Sequence, residues 1–171
     1  MRLANCVLLC SSLLFSLAAA AAELPQRWVS SGGSLSEWVV RLGGEGRLVG
    51  VDTTSLHPQS LRQVPSGGDQ RALSAEGVLS LRPDILIGSE EMGPPPVVAQ
   101  IAAAGVRVES LSAKPDLATL ERNVLSLGEL LGVPAQAREQ MAAYRQQLQD
   151  QAQWVAEARR TQAPPRVVML L

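Results

Sequence analysis

The sequence predicts an α/β fold with a mainly parallel sheet. Short runs rich in aliphatic residues alternate with helix-like segments along the chain, which is the pattern of a sheet whose strands are connected by helices. The run over 84–88, Asp-Ile-Leu-Ile-Gly, is typical of a buried strand. A helical pattern from about residue 134 to residue 160 exceeds the length needed to cover a sheet of this size. The 171-residue chain is long enough to bury one core.

The first strand and the first helix are predicted between residues 27 and 42. Residues 27–31 form a β-leaning run, and two glycines close it. Ser34 is predicted to cap a helix over 35–42. Glu37 would complete a capping box of the S-x-x-E type with that serine.

The later elements alternate in the same way. Their predicted order is a strand over 47–51, a loop over 52–74, a helix capped by Ser74 that runs through Ser80, a strand over 84–88, a helix over 97–104, a strand over 107–111, a helix over 117–131 that ends at Gly132, and a helix over 134–160. The loop over 52–74 exceeds the length of about 12 to 15 residues above which loops in compact domains are usually functional or disordered. The run over 167–171 is typical of an opening strand, and we expect a second lobe to begin there.

The amino terminus predicts export. Arg2 precedes an apolar run over 3–17, and small residues follow up to Ala22, which is the order of a cleaved secretory signal peptide over 1–22. The alternative, an uncleaved membrane anchor, would need a longer run of about 20 apolar residues. Cys6 and Cys10 both lie in this segment, so the mature chain would have no disulfide, thiol nucleophile or cysteine-ligated zinc. We expect a soluble periplasmic protein.

Composition and motifs argue against several other classes of function. Without Arg2 the chain has 14 basic and 16 acidic residues, a net charge of 14 − 16 = −2, so it has no basic excess for nucleic acid. The alternative from another class is a doubly wound α/β enzyme. Such an enzyme would need a phosphate-binding turn or a paired acid and base, and the sequence shows neither G-x-G-x-x-G nor G-x-S-x-G.

The segment over 48–83 carries a more specific pattern. It reads LVGVDTTSLHPQSLRQVPSGGDQRALSAEGVLSLRP. It resembles the heme-binding components of bacterial ABC importers, in which this region usually reads close to VGVDTTSxYP followed by LPxVGYxRxLSAEGxLSLxP. His57 and Asp69 stand where that pattern has tyrosines, and the second position is that of the family's iron ligand.

The resemblance implies a Rossmann-like lobe, a long rigid helix and a second lobe, with the ligand between the lobes. On that plan the chain supplies a first lobe at 23–132, a connecting helix at 133–163 and the start of a truncated second lobe at 164–171. The resemblance further implies that the protein captures heme as a transported ligand, without catalysis or a catalytic cofactor, and delivers it to an ABC permease and its ATPase. An outer-membrane heme receptor would act upstream, and we expect a monomer. The alternatives are a carrier for a ferric siderophore or cobalamin, which the missing tyrosine favours, and a truncated product without activity.

Heme iron needs an axial donor from the protein. At the family's tyrosine position Asp69 offers a carboxylate, and His57, the only histidine, offers a ring nitrogen. The alternatives are that Asp69 is a solvated turn residue and that His57 is a surface or packing residue. Tyr144 is predicted to lie on the long helix, away from the cleft.

Charged side chains complete the set of candidates. Arg71 matches the family pattern and could hydrogen-bond a propionate or an anionic axial oxygen. The alternative for Arg71 is an ordinary ion pair with Asp69 or Glu76. Related carriers dock on their permease through acidic residues, so Glu90 and Glu91 are candidates for that contact, the alternative being two solvated glutamates.

Overall fold

The computed structural model describes residues 24 to 169, and the predicted signal peptide with both cysteines lies outside that range. The range contains six strands and five α-helices, in the order β1(Trp28–Ser31), α1(Gly33–Arg41), β2(Leu48–Val51), β3(Gly68–Asp69), β4(Ala72–Leu73), α2(Ala75–Ser80), β5(Ile85–Ser89), α3(Pro95–Ala103), β6(Arg107–Leu111), α4(Leu117–Leu131) and α5(Pro134–Thr161). None of the described helices is both long and apolar enough to cross a lipid bilayer.

Four parallel strands form the main sheet, in the order β2-β1-β5-β6. The chain runs from β1 outward to β2, then returns to the other side of β1 and continues through β5 to β6. The direction of winding therefore reverses between β1 and β5, where Ser31 lies opposite Gly88. This confirms the α/β prediction and places a crevice at the carboxyl ends of these two strands, the position at which open parallel sheets bind ligands.

Helices cover both faces of the sheet. On one face β1 and β5 direct Trp28, Ile85 and Ile87 toward α1, α4 and α5. On the other face Val29 and Leu86 pack against residues of α2 and α3. These side chains alternate along the strands because successive residues point to opposite faces, and all five are at most 1% exposed.

The predicted capping box at the start of α1 is wrong. The helix begins at Gly33 rather than Leu35, and Gly32 occupies the capping position at φ +122° with no side-chain cap. Since β1 ends at Ser31, the chain must turn into the helix within one residue, and glycine accepts this positive φ. Ser34 and Glu37 consequently lie inside the helix.

The predicted loop over 52–74 contains more structure than expected. A 3₁₀ turn, Gln59–Gln63, buries Leu61 completely, and β3 pairs with β4 in a short antiparallel hairpin. The Thr53 amide donates to the Gly68 carbonyl, and the Leu73 amide donates to the Gly93 carbonyl, so the hairpin is held at the carboxyl edge of the sheet. Beyond it Ser74 caps α2 as predicted, its hydroxyl accepting from the Gly77 amide at 3.1 Å.

The long predicted helix is confirmed as α5, whose 28 residues span about 42 Å. Its first part packs on α4 and buries Ala137 and Met141. Its second part lies in solvent, where Trp154 is 69% exposed. Residues 163–169 form no strand. The strand predicted over 167–171 stays a prediction, since a parallel strand needs a neighbour with which to hydrogen-bond.

Candidate ligand-binding site

A cavity of about 840 Å³ opens at the carboxyl edge of the sheet, at the crevice between β1 and β5. Serines at or just beyond the ends of three strands line it, namely Ser31, Ser89 and Ser112. The starts of α1 and α4 border it, and α5 supplies one wall. Both its volume and its place in the topology are those of a small-molecule site.

One wall of the cavity is apolar and aromatic. It includes Trp38 of α1, Leu120 of α4, and Tyr144 and Leu148 of α5. The rings of Trp38 and Tyr144 meet edge to face, with centroids 5.8 Å apart and planes at 75°. The prediction that Tyr144 lies on the long helix is confirmed, but its predicted place away from the cleft is wrong. The first part of α5 packs against α4, and α1 contacts α4, so Tyr144 reaches the cavity wall beside Trp38.

The floor of the cavity is polar and incompletely paired. Ser31 is 1% exposed, and its hydroxyl has no hydrogen-bond partner. At the start of α1 the Gly33 amide donates to the Thr54 hydroxyl at 3.0 Å. Within residues 24 to 169 the Ser34 amide has no acceptor.

A buried chain of hydroxyls supports this floor. The Ser36 hydroxyl donates to Ser30 Oγ at 2.8 Å and lies 2.7 Å from Ser55 Oγ. The Ser55 hydroxyl donates to Asp52, whose carboxylate is 2% exposed and also accepts from the Thr54 hydroxyl at 2.6 Å. This network fixes the loop after β2 against the start of α1. This network was not predicted from the sequence, although an Asp followed by Thr and Ser is a recognised local capping pattern.

The start of α4 holds a carboxylate whose pKa is lowered by its neighbours. Hydrogen bonds from the Thr119 amide, at 2.7 Å, and then from its hydroxyl lower the pKa of Asp116 below its ordinary value. The charges of Arg122 and Lys114 lower this pKa further, and partial desolvation opposes them. Lys114 lines the cavity and forms no ion pair within the described residues.

Asp69 lies in the turn of the β3–β4 hairpin. It is exposed, and its Oδ1 accepts a hydrogen bond from the Arg71 amide at 2.8 Å. Asp69 does not line the cavity, whereas the next residue, Gln70, does. This geometry is that of a solvated turn residue, the alternative given above for Asp69. Iron ligation by Asp69 stays a prediction.

Arg71 is held beside the cavity by a partner that the sequence did not indicate. Its guanidinium donates to the Glu91 carboxylate at 3.0 Å, and Glu91 lines the cavity. The alternative ion pair with Asp69 or Glu76 is therefore wrong. Since the Arg71 and Glu91 side chains are 68% and 51% exposed, the pair adds little stability.

His57 and Glu90 lie outside the cavity lining. His57 is exposed and borders neither this cavity nor a second one of about 470 Å³ beside the loop after β2. Glu90 accepts from the Ala113 amide at 3.2 Å, and its own amide donates to the Leu111 carbonyl. Within the described range no group of three or more His, Cys, Asp or Glu could hold a metal ion.

Comparison with protein families gives a match over nearly the whole described chain. The family described as periplasmic binding protein matches residues 29–171.

Solved structures share the fold. A periplasmic heme-binding protein from Pseudomonas aeruginosa is 67% identical with a TM-score of 0.81, over 83% of this chain and 51% of that one. The periplasmic heme-binding protein BhuT in complex with two hemes is 36% identical with a TM-score of 0.72, over 77% and 50%. Among curated proteins, the vitamin B12-binding protein of Yersinia pestis is 27% identical over 96 residues, which are 56% of this chain and 34% of that one. The chain thus spans about half the length of the solved relatives and a third of the curated one.

Proposed function

We propose, from the premise that this chain belongs to the periplasmic binding protein family, that it captures heme in the periplasm for delivery to an ABC permease. The observation that carries the proposal is the 67% identity, across 83% of the chain, to a periplasmic heme-binding protein. The chain acts as a carrier, with heme as its cargo and no chemical step of its own.

The cavity suits one side of a flat amphipathic ligand. Trp38, Leu120 and Leu148 offer apolar contact to a macrocycle, and the floor around Ser31 offers polar groups. Ligand sites generally combine an apolar lining with a few placed polar groups. Because α5 extends well past the cavity, it could carry a second wall facing the first.

We keep both axial candidates in the proposal. Asp69 lies one residue from the cavity wall, so a modest inward movement of the hairpin turn would bring its carboxylate toward the ligand. His57 is exposed on the neighbouring loop and is free of close packing. Arg71 would then face a propionate or the axial oxygen while remaining near Glu91.

The proposed partners follow from the same role. Glu90 and Glu91 occupy the turn after β5, and both are exposed, so they are our candidates for docking on the permease. An associated ATPase, an upstream outer-membrane heme receptor and a monomeric carrier complete the proposal.

Cobalamin is the second candidate ligand. The curated relative that binds vitamin B12 matches 56% of the chain at 27% identity. The absence of a tyrosine at position 69 also removes the donor expected for ferric heme.

Titration with hemin tests the proposal. We expect residues 23–171 to shift the Soret band with a Kd weaker than about 1 μM, because these residues supply one wall of the proposed site. Cyanocobalamin, titrated in parallel and followed by equilibrium dialysis, should bind more weakly still. A preference for cyanocobalamin would replace the heme proposal by the second candidate, and a sharp stoichiometric change below about 1 μM would contradict the need for a second wall.

A matched pair of variants on α5 tests the location of the site. Leu148→Asp places a carboxylate on the cavity wall, and Val155→Asp places one at a similarly exposed position beyond it, the two side chains being 37% and 39% exposed. We expect the first change to weaken hemin binding about 10-fold, because the macrocycle would desolvate the new charge. The second should leave binding unchanged, and equal effects of both would move the site away from this cavity.

A further inference from the structure

We propose that the start of α1, together with Ser31, forms a subsite for a carboxylate group. Which carboxylate it takes rests on the proposed function: for a carrier of heme, it is a propionate of the porphyrin.

The first observation is the Ser31 hydroxyl. It lies at the end of β1, in a residue that is 1% exposed, and no described group hydrogen-bonds it. Buried polar atoms are paired in the great majority of cases, because an unpaired one loses its hydration without compensation. Ser31 also lines the cavity, so a ligand in the cavity can supply the missing partner.

The second observation is the uncapped amino end of α1. Gly32 has no side chain to accept from the first amides of the helix. The Thr54 hydroxyl satisfies the Gly33 amide, but the Ser34 amide has no acceptor in the described chain. The amino end of a helix carries a partial positive charge, so an anion at this place would be stabilised by both the dipole and the free amide.

The backbone at this point is open to a ligand. Gly32 and Gly33 both line the cavity, and neither carries a side chain that would cover the amides. The Gln70 side chain is the nearest cover, since its Oε1 lies 3.3 Å from the place where a Cβ on Gly32 would be. A flexible amide side chain of this kind can move aside when a ligand enters.

Two of the three acidic residues that line the cavity are engaged by neighbouring groups. The Asp116 carboxylate accepts two hydrogen bonds from Thr119 at the start of α4, and Glu91 pairs with Arg71. The third, Glu37, lies one turn further along α1 and opposes an anion in the cavity. Lys114 lines the same cavity without an ion pair in the described range, so it is available to a second carboxylate.

Gallium(III) protoporphyrin IX, a diamagnetic analogue of heme, allows the contact to be read by NMR. We expect the Ser34 amide proton to move downfield when this porphyrin is added to the 15N-labelled chain. The dimethyl ester of the same porphyrin should bind about 10-fold more weakly. At saturation it should move the Ser34 amide proton less far downfield, because it retains the macrocycle and its ring-current shift but lacks the carboxylates.

Ser31→Ala tests the hydroxyl, and Ser112→Ala is its matched control. Ser112 lines the same cavity, but its hydroxyl already accepts from the Lys114 amide. Removing an unpaired buried hydroxyl should raise the Tm of the ligand-free Ser31→Ala variant by about 2 to 4 °C. The same change should weaken binding of the porphyrin about 3- to 10-fold. The Ser112→Ala variant should show no increase in Tm and should bind the porphyrin with unchanged affinity.

The outcomes separate the subsite from the proposed function. Equal binding of the porphyrin and its diester, or a Ser31→Ala variant whose Tm falls, would overturn the carboxylate subsite and leave heme capture standing. If neither porphyrin binds, the proposed function fails, and titration with sodium propionate then tests the subsite separately. A shift of the Ser34 amide resonance beyond that seen with sodium chloride would support the carboxylate subsite, and the lack of such a shift would overturn it.

Discussion

The Asp69 carboxylate is engaged within its own turn, where Oδ1 accepts from the Arg71 amide at 2.8 Å. Asp69→Tyr would introduce the tyrosine that the heme-binding family pattern has at this position. We expect hemin affinity to rise at least about 10-fold, with a new phenolate-to-iron charge-transfer band, because a phenolate is a hard anionic oxygen that suits ferric iron and tyrosine is an established heme ligand. Absorption spectroscopy of the titrated variant measures both.

Asp69→Phe is the control for that change, because it adds the ring without the oxygen. Both variants lose the turn hydrogen bond, so each should lose about 1 kcal/mol of unfolding free energy. A Phe variant that bound hemin as well as the Tyr variant would show that the ring packs on the ligand and that the iron takes its donor elsewhere.

Asp116 is expected to contribute to the acid sensitivity of the fold. Hydrogen bonds from Thr119 lower its pKa in the folded state, so the charged form stabilises the fold. This contribution is fully present above the unfolded pKa, which is about 3.9, and is lost as the pH falls through the lower folded value. Asp116→Asn, which keeps a capping side chain but does not titrate, should therefore show a smaller loss of stability below about pH 4.

Urea unfolding at a series of pH values measures this difference. Glu157→Gln, on the exposed part of α5, removes one negative charge without touching a helix cap and serves as control. Parallel stability curves for the Asp116 variant and the original chain would show that the cap does not respond to pH.

The family pattern marked the segment that contains Asp69 and Arg71, and the hydrogen bonds of the hairpin hold this segment at the edge of the sheet, beside the cavity. The ligand-binding roles of Asp69 and Arg71 stay predictions. The Ser31 hydroxyl and the partner of Arg71 could not be predicted, since both depend on contacts between residues far apart in the chain.

At the scale of elements, the short turn from β1 into α1 depends on Gly32. Gly32→Ala should lower the unfolding free energy by about 1 to 3 kcal/mol, because a Cβ is strained at φ +122°. Gly46→Ala is the control, since nothing lies within 4 Å of a Cβ built there, and it should change stability by less than about 0.5 kcal/mol. Equal urea midpoints for the two variants would contradict the strain argument.

The two parts of α5 should respond differently to truncation of a side chain. Met141→Ala removes a side chain that is 1% exposed and should cost about 2 to 5 kcal/mol. Trp154→Ala, at a residue that is 69% exposed, should cost less than about 0.5 kcal/mol. Urea unfolding of both variants compares them, and a large cost at Trp154 would mean that the far part of α5 packs on something in solution.

Helix ends were the most predictable elements, because their signals are local. Ser74 caps α2, and Gly132 ends α4 at φ +75°, as their residue types indicate. The capping box at Ser34 failed because the end of β1 forces an earlier start on α1. The β3–β4 hairpin was missed because its strands have two residues each and show no alternation.

At the scale of the whole molecule, the cavity follows from the order of strands. Local patterns correctly predict that strands alternate with helices, but they do not say that β5 pairs with β1 on the side away from β2. That arrangement brings Ser31 and Ser89 to one crevice, which the sequence could not reveal.

The helix α5 has a mechanical consequence. Between Ala135 and Thr161 it contains neither proline nor glycine, the residues at which helices most often kink. Thr161 is therefore held at a nearly fixed distance and direction from the cavity. A following segment would change its position relative to the cavity by rotation within the non-helical stretch over 162–169, and not by bending of α5.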